Sequence, residues 1–375
     1  MPRTFSDSRR IVVKIGTNVL ATDRGVDERY IAEIARQIQE LRKLNKRVLV
    51  VSSGAIGMGA QDLGITERVE AVVMRQACAA IGQPLLMQSY RNAFSNFGVT
   101  VSQVLLTREV LNDRRSYVNL RNAVETLLEL GVVPIFNEND SVSTAEIGNA
   151  FGDNDQLSAL VASKTDADVL IILTDIDALY DADPKRNPQA SPVRLVEALT
   201  PQILAYAGAS GSRFGSGGMY TKLKAVQIAE RAGCRVVLAH GRESNVLPRV
   251  MAGEEIGTLF LAQERLKNRS RWILNSEARG KIVIDNGAEE AIRRHNSLLP
   301  PGVVSVDGLF PAGAVVELQS EDQETPIGKM VSALTSAELR AVVGKHTSEV
   351  QAALGPGSRE IIARPEDIVF YRSLS

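Results

Sequence analysis

Short runs of β-branched and apolar residues alternate, over the first 260 positions, with longer segments in which apolar residues recur at helical spacing. The runs predicted as strands are 11–15, 47–51, 100–106, 132–136, 169–173 and 235–239. The intervening segment 27–44 carries its apolar residues on one helical face, and Asp27 is placed to cap its first turn. Near-continuous apolar strands that alternate with helices are typical of a mostly parallel sheet covered by helices. The predicted fold class is therefore α/β, with an α/β/α sandwich.

The pattern changes after about residue 260. A polar and basic stretch, 262–279, is expected to be a linker or packing segment. Beyond it, "KIVIDNG", "GVVSVDG" and "AVVELQS" are short strand patterns separated by glycine turns. We therefore expect a first domain over residues 1–261 and a small β-rich domain over residues 280–375.

Composition narrows the class of protein. The chain has 375 residues, 44% of them hydrophobic, and a net charge of -1, so nothing in the totals suggests a nucleic-acid or membrane surface. Its two cysteines, Cys78 and Cys234, lie far apart without metal-like spacing, which fits a reducing compartment. No apolar run approaches the roughly 18 residues that a membrane span requires. We expect a cytoplasmic protein that does not enter a membrane.

The stretch "GSGGMYTK", residues 215–222, has the composition of a phosphate-binding loop. It fails the Walker pattern because Thr221, and not a glycine, precedes Lys222, and it also fails the dinucleotide pattern G-x-G-x-x-G. Glycines nevertheless let a backbone approach an anion, and a helix predicted over 219–231 would direct its first N–H groups at that anion. An ordinary flexible loop has the same composition, so both interpretations stay open.

Polar residues follow the ends of several predicted strands, where open α/β sheets bind their ligands. They are Lys14, Gly16, Thr17, Ser52, Ser53, Gly54, the "NEND" run 137–140, Thr174 and Asp175, with "GDND" 152–155 ahead of a further helix. Lys14 interrupts an apolar strand, and a buried lysine needs an anion, whereas a lysine on an edge strand reaches water. The runs 137–140 and 152–155 are also compatible with turns, and Thr174 with Asp175 is compatible with a helix N-cap.

The chain has three histidines, and none lies beside a nucleophile or in a metal-binding pattern. Hydrolase triads and zinc catalysis therefore lose support. A carboxylate acceptor is already a nucleophile at pH 7, so its phosphorylation needs no general base. Two lysines, a magnesium ion and helix N-termini are suitable for bringing such an anion to a polyphosphate.

Six stretches of the sequence carry a resemblance to a known family. They are "VVKIGTNVL", "VSSGAIGMG", "LLTREVLNDRRSYVN", "VVPIFNENDSV", "FGDNDQLSALVA" and "GSGGMYTKL". In this order they resemble the glutamate 5-kinases of the amino acid kinase family, and "KIVIDNGAEEAIRRHNSLLPPGVVSVDGLFPAG" is similar to a PUA domain. The resemblance covers nearly the whole chain. It implies transfer of phosphate from ATP, with Mg²⁺, to the side-chain carboxylate of L-glutamate, which is the first step of proline biosynthesis.

The resemblance also implies roles for individual residues. Lys14 and Lys222 would act on the transferring phosphoryl group, and Asp155 would orient both lysines. Glutamate would be bound by Ser53, Asn137, Asp140 and Asn154. The nucleotide would be bound by Lys14, Thr174, Asp175, Ser216, Gly217, Gly218, Met219, Tyr220, Thr221 and Lys222. The ligands of the metal ion stay open. Ala178 stands in "TDIDALY", where the family usually has glycine, which leaves the local loop geometry open.

The resemblance further implies feedback inhibition by proline, a homo-oligomer (dimer or tetramer) and glutamyl phosphate reductase as a partner. PUA domains elsewhere bind structured RNA, which gives an alternative function. Residues 280–375 hold nine Lys and Arg against thirteen Asp and Glu, a net of -4, so we expect no RNA binding there. Among enzymes, the alternative is a kinase for another acidic metabolite.

Overall fold

The computed structural model describes residues 3–22, 25–142, 154–184, 186–208, 218–355 and 357–371. The chain divides into two compact units, Met1–Arg265 and Leu266–Ser375. Within the described ranges no helix is long and apolar enough to cross a membrane.

The first unit contains both strands and helices in alternation. Its strands are β1 (Arg10–Ile15), β2 (Ala21–Thr22), β3 (Gly25–Val26), β4 (Arg47–Val51), β5 (Val101–Leu106), β6 (Val133–Glu138), β7 (Val169–Thr174), β8 (Leu179–Tyr180), β9 (Pro192–Val193), β10 (Leu195–Val196), β11 (Arg235–His240) and β12 (Thr258–Phe260). Its helices are α1 (Thr17–Leu20), α2 (Glu28–Lys43), α3 (Ala55–Asp62), α4 (Val72–Ser95), α5 (Arg108–Asn112), α6 (Arg114–Glu129), α7 (Asn154–Lys164), α8 (Pro201–Gly208), α9 (Met219–Glu230) and α10 (Val246–Met251).

The main sheet has the strand order β10-β12-β11-β7-β1-β4-β6-β5. Strand β1 is central and pairs in parallel with β4 and β7, while β6 pairs in parallel with β4 and β5. Strand β11 is parallel to β7, and β12 is antiparallel to β11. The mostly parallel α/β sheet predicted from the sequence is confirmed. Because β1, β4, β6, β7 and β11 run the same way, their carboxyl ends meet at one edge of the sheet.

The two faces of the sheet are packed into separate hydrophobic clusters. In β1, Ile11, Val13 and Ile15 face the cluster formed with α2, α4 and α10, whereas Val12 faces the cluster formed with α6, α7 and α9. The alternation follows from the two-residue period of a strand. Burial on both faces explains why the strand sequences are continuously apolar.

Local signals predicted the start of helix α2 correctly. Asp27 is its N-cap, and the Asp27 side chain accepts a hydrogen bond from the backbone N–H of Tyr30 at 3.0 Å. This bond satisfies one of the donors left free in the first turn. The buried residues of α2 recur at helical spacing, as predicted from the sequence.

Helices α3 and α4 approach each other very closely at two glycines. A Cβ atom on Gly59 would lie 1.8 Å from the carbonyl oxygen of Cys78, and a Cβ atom on Gly82 would lie 1.9 Å from the carbonyl oxygen of Ala55. No side chain fits in either place, so glycine sets the distance between the two helices. Ala55 begins α3 directly after Ser53 and Gly54, so this contact also fixes the segment that follows β4.

The second unit contains a sheet with the strand order β14-β13-β15-β16-β17. Its strands are β13 (Gly280–Ile284), β14 (Val303–Gly308), β15 (Val315–Ser320), β16 (Gly328–Val331) and β17 (Ile368–Phe370). Its helices are α11 (Asn268–Asn275), α12 (Asn286–Arg293), α13 (Ser336–Val342) and α14 (Thr347–Leu354). The three strands predicted from the sequence are β13, β14 and β15. Helix α11 lies within 262–279, the range for which the sequence suggested a linker.

Candidate active site

Lys14 lies near the carboxyl end of β1, in the middle of the main sheet. Its neighbours in register are Val51 of β4 and Ile172 of β7, and the residue is 2% exposed. The alternative of an edge-strand lysine that reaches water is therefore excluded. A buried ammonium requires an anionic partner.

Asp155 is the anionic partner of Lys14, and it also pairs with a second lysine. The Lys14 Nζ lies 2.5 Å from Asp155 Oδ1, and the Lys222 Nζ lies 3.1 Å from Asp155 Oδ2. The Asp155 side chain is fully buried, and both lysines are nearly so. One carboxylate at the start of α7 thus bridges two ammonium groups from β1 and α9. The sequence-predicted trio is brought together.

A close approach between β1 and β7 shapes this part of the site. The backbone N–H of Gly16 donates to the carbonyl oxygen of Leu173 at 2.9 Å. A Cβ atom at Gly16 would lie 3.1 Å from that oxygen and 3.6 Å from the Lys14 Nζ. Glycine therefore keeps open the space beside the lysine where an anion would approach.

Ser53, Asn137 and Asn154 form a second group, at the ends of β4 and β6 and the start of α7. The Asn154 Nδ2 donates to Asn137 Oδ1 at 2.9 Å and to Ser53 Oγ at 3.0 Å, and it also contacts the carbonyl oxygen of Ser52. Asn137 is a strand residue, because β6 continues to Glu138 where the sequence pattern ended the strand at residue 136. The group offers amide and hydroxyl functions of the kind that bind an amino acid.

Asp140 follows β6 in a turn. Burial raises the pKa of its carboxyl, and the positive charge of Arg75 partly offsets this shift. A half-buried carboxylate at this position is suited to hold an ammonium group. The segment that follows, from residue 143, lies outside the described residues, as do Gly152 and Asp153 of the predicted "GDND" run.

Thr174 ends β7, and Asp175 follows it. The next element is strand β8, so the alternative of a helix N-cap is wrong. The Asp175 carboxylate accepts hydrogen bonds from Asn18 Nδ2 at 2.9 Å and from Thr174 Oγ1 at 3.0 Å. Burial alone would raise the pKa of Asp175. Bonds from Asn18, Thr174 and its own backbone N–H, with the charge of Lys222, hold that pKa below its ordinary value.

The glycine-rich segment is described from Gly218 onward, and Ser216 and Gly217 lie outside the described residues. Gly218 is the N-cap of α9, so Met219, Tyr220 and Thr221 form the first turn ahead of Lys222. The Thr221 hydroxyl donates to the Gly218 carbonyl oxygen at 2.8 Å. The predicted helix start is confirmed. Helix N-termini with free N–H groups are places where phosphate can bind.

Sequence reasoning missed three side chains beside these residues. Asn18 binds Asp175, and Tyr90 lies with its Oη 2.8 Å from Ser52 Oγ. Gln83 accepts from Asn137 Nδ2 at 2.8 Å. Asn18 directly follows a strand-end motif and could have been included. Tyr90 and Gln83 lie on α4, where no local pattern indicates a site.

Comparisons with known proteins identify the family of this chain. The profile of the amino acid kinase family matches residues 9–240, and that of the PUA domain matches residues 280–354. The glutamate 5-kinase of Methanosarcina barkeri is 48% identical over 97% of this chain and 97% of its own length. That of Methanosarcina mazei is 46% identical over 99% and 98%, and that of Thermus thermophilus is 43% identical over 93% of each chain.

The chain belongs to the glutamate 5-kinase group of the amino acid kinase family. Kinases of this family use ATP. One position, Ala178, departs from the pattern expected for the family. Ala178 is fully buried, and it is absent from the residues with a positive φ in the described part of the chain, so its backbone does not require glycine.

Proposed function

We propose that this protein transfers the γ-phosphoryl group of ATP to the side-chain carboxylate of L-glutamate and forms glutamyl 5-phosphate, the first step of proline biosynthesis. The observation that carries the proposal is the buried pair of lysines bridged by Asp155. The similarity over nearly the full length to glutamate 5-kinases supports glutamate as the acceptor.

The charges of the trio suit phosphoryl transfer between two anions. Lys14 and Lys222 carry two positive charges, and Asp155 neutralises one of them, so the buried trio keeps an excess of one positive charge. That excess favours an anion, and it would favour most the transition state, in which negative charge spreads over the transferring phosphoryl oxygens. Asp155 holds both ammonium groups in place before ATP binds, so little reorganisation is needed during the reaction.

The acceptor side is assigned to Ser53, Asn137, Asp140 and Asn154. Asp140 would pair with the α-ammonium of glutamate, and Ser53 with Asn154 would bind its polar groups. The side-chain carboxylate of glutamate is ionised at neutral pH, so it can attack phosphorus without a base to remove a proton. This agrees with a trio made of two lysines and one carboxylate in place of a histidine.

The nucleotide side is assigned to Thr174, Asp175 and the segment 216–222. The first turn of α9 would direct its N–H groups at the phosphates, next to Lys222. The described residues contain no group of three or more His, Cys, Asp or Glu side chains that could hold a metal ion. Magnesium supplied with ATP would neutralise phosphate charge.

Trapping the acyl phosphate with hydroxylamine tests the reaction and its acceptor. With ATP and glutamate we expect a hydroxamate to accumulate, and with N-acetylglutamate we expect none, because acetylation removes the ammonium charge that Asp140 would bind. Aspartate should be a poor acceptor, since its side chain is one methylene shorter and would hold the attacking carboxylate farther from the γ-phosphorus of ATP. Equal amounts of hydroxamate from all three compounds would contradict selectivity for glutamate and would favour another acidic metabolite as the substrate.

We expect proline to inhibit in competition with glutamate. Proline carries an α-carboxylate and a secondary ammonium, so Asp140 can serve both ligands. Initial rates measured over a matrix of glutamate and proline concentrations should show proline raising the KM for glutamate at constant kcat. A fall in kcat at an unchanged KM would place proline at a separate site.

We also propose that catalysis is confined to the first unit. The proposed site residues all lie before residue 223, and Arg265 still binds the first unit through a 2.9 Å hydrogen bond to the Ala232 carbonyl oxygen. A protein ended after Arg265 should therefore fold and form glutamyl hydroxamate, with a KM for ATP within about twofold of the full chain. A folded truncation that binds ATP but makes no hydroxamate would overturn this division.

The family resemblance also bears on partners and location. We infer a homo-oligomer (dimer or tetramer), glutamyl phosphate reductase as the consumer of the labile product, and a cytoplasmic location. Both cysteines are buried and free, which fits a reducing compartment. The acidic balance of the PUA domain argues against RNA binding. Filter binding with structured RNA at low salt tests that alternative.

A further inference from the structure

Two backbone groups show which way the amides of Asn137 and Asn154 point in the acceptor pocket, the group formed by Ser53, Asn137, Asp140 and Asn154. The Asn154 side chain contacts the carbonyl oxygen of Ser52, and since that oxygen only accepts, the contacting atom is the amide nitrogen. The backbone N–H of Glu138 donates to the Asn137 side chain at 3.0 Å, and only the amide oxygen can accept there. Neither asparagine can be reversed without losing one of these bonds.

The fixed orientation extends from these asparagines to helix α4. Because Asn137 Oδ1 accepts from Glu138 and Asn154, its Nδ2 is the donor, and it donates to Gln83 Oε1 at 2.8 Å. The Gln83 Nε2 in turn donates to Gln103 Oε1 of β5 at 2.9 Å. Gln83 is 7% exposed and Asn137 is 2% exposed, so water does not readily replace the bond between them.

The direction of the hydrogen bonds along this row of side-chain amides decides which groups the pocket presents to a ligand. The Asn154 nitrogen is committed to the protein, so Oδ1 is the atom of this amide that would accept a hydrogen bond from a ligand. An amide nitrogen does not accept hydrogen bonds, so in its contact with Asn154 the Ser53 hydroxyl accepts, and its proton can be donated elsewhere. The pocket therefore offers an acceptor for an ammonium group and a donor for a carboxylate.

Close packing holds helix α4 against the segment that follows β4. Gly82, next to Gln83, packs against the first turn of α3 with no room for a side chain. Tyr90 lies two turns after Gln83 on the same helix, and its Oη is 2.8 Å from Ser52 Oγ. One face of α4 thus contacts both the segment after β4 and the end of β6.

We propose that Gln83 is a positioning residue for the amino acid acceptor: through Asn137 it fixes the orientation of Asn154 and so the donor and acceptor pattern of the pocket. The inference rests on the proposed function, because it assigns to that acceptor the pocket formed by these residues. Without the Gln83 oxygen, the Asn137 nitrogen loses its buried acceptor, and of the two bonds that orient this amide from outside the site only the one from the Glu138 N–H remains. Asn154 then loses a fixed partner.

Gln83→Met, which keeps the side-chain length but removes the amide, tests the proposal. We expect the KM for glutamate to rise about five- to tenfold, the effect of one buried hydrogen bond, while the KM for ATP stays within about twofold. Gln88→Met is the matched control, since Gln88 is an exposed glutamine on the same helix. That control should leave both constants unchanged.

A double-mutant cycle separates positioning from packing. In an Asn137→Leu background the path from Gln83 to Asn154 is already broken, so Gln83→Met should raise the KM for glutamate by less than about twofold. The same factor in both backgrounds, or equal rises for glutamate and ATP, would overturn the proposal. If Gln83→Met does not fold, Gln83→Asn, which withdraws the amide by one methylene, should give the same selective rise.

Failure of the positioning role of Gln83 can be told apart from failure of the proposed function. Wild-type protein that forms no glutamyl hydroxamate would refute glutamate as the acceptor, whatever the Gln83 variants do. Wild-type protein that forms it, with Gln83 variants unchanged in the KM for glutamate, would refute only the positioning role.

Discussion

Lys14→Met should lower kcat by at least about 10²- to 10³-fold, the loss typical when one preorganised electrostatic contact to a transition state is removed. The variant keeps a side chain of similar length in β1 and deletes only the ammonium that lies 2.5 Å from Asp155. Asp155 remains paired with Lys222 at 3.1 Å, so no buried carboxylate is left alone. The measurement is kcat in the hydroxamate assay, with circular dichroism to establish folding.

Lys164→Met is the matched control for this experiment. Lys164 is also nearly buried and lies at the other end of α7 from Asp155, about 13.5 Å away by the rise of a helix. Its replacement can change stability, but kcat should stay within about threefold of wild type, since the substitution leaves the trio intact. A folded Lys14→Met protein with unchanged kcat would remove Lys14 from the mechanism.

Asp140→Asn should raise the KM for glutamate by about 30-fold or more, with a much smaller change in the KM for ATP. The reason is the loss of a desolvated charge pair with the α-ammonium, which is worth about 2 to 5 kcal/mol. Asp175→Asn provides the reciprocal contrast, because Asp175 is assigned to the nucleotide and its replacement should raise the KM for ATP. Equal changes of both constants in the Asp140 variant would indicate general damage.

The pH dependence of the same variant adds a second measurement. Burial raises the pKa of Asp140, so its carboxyl takes up a proton at a pH above the usual range for aspartate. Only the ionised form can pair with the ammonium, and kcat/KM for glutamate should therefore fall as the pH drops through that pKa. Asp140→Asn should abolish the fall in kcat/KM that is due to protonation of Asp140. The fall that is due to protonation of the glutamate side chain should remain.

The local elements of this protein could be predicted from its sequence because their signals are local. Continuous apolar runs such as 169–173 indicate a strand buried on both faces, and Asp27 ahead of a 3.6-residue pattern indicates a helix start. The antiparallel β12 and the helices of the second unit were not predicted. Short elements have few residues over which a period can show, so tertiary contacts decide them.

The candidate site was predictable as far as its residues lie at strand ends. Parallel strands bring their carboxyl ends to one edge of a sheet, so the strand pattern alone indicates that Lys14, Ser53 and Thr174 lie at the same edge. The sequence by itself also determined the family, through motifs that keep their order along nearly the whole chain.

The tertiary structure decided the contacts that no local pattern shows. The family resemblance implied that Asp155 orients Lys14 and Lys222, but no pattern near Asp155 shows that its two oxygens bind these lysines, which are 141 and 67 positions away. No local pattern distinguishes Gln83 from the exposed Gln88 of the same helix, and only the packing of α4 against its neighbours α2, α3 and β5 buries Gln83. Strand order and helix packing set these contacts, and both arise from the burial of apolar surface across the whole unit, a property that no short segment carries.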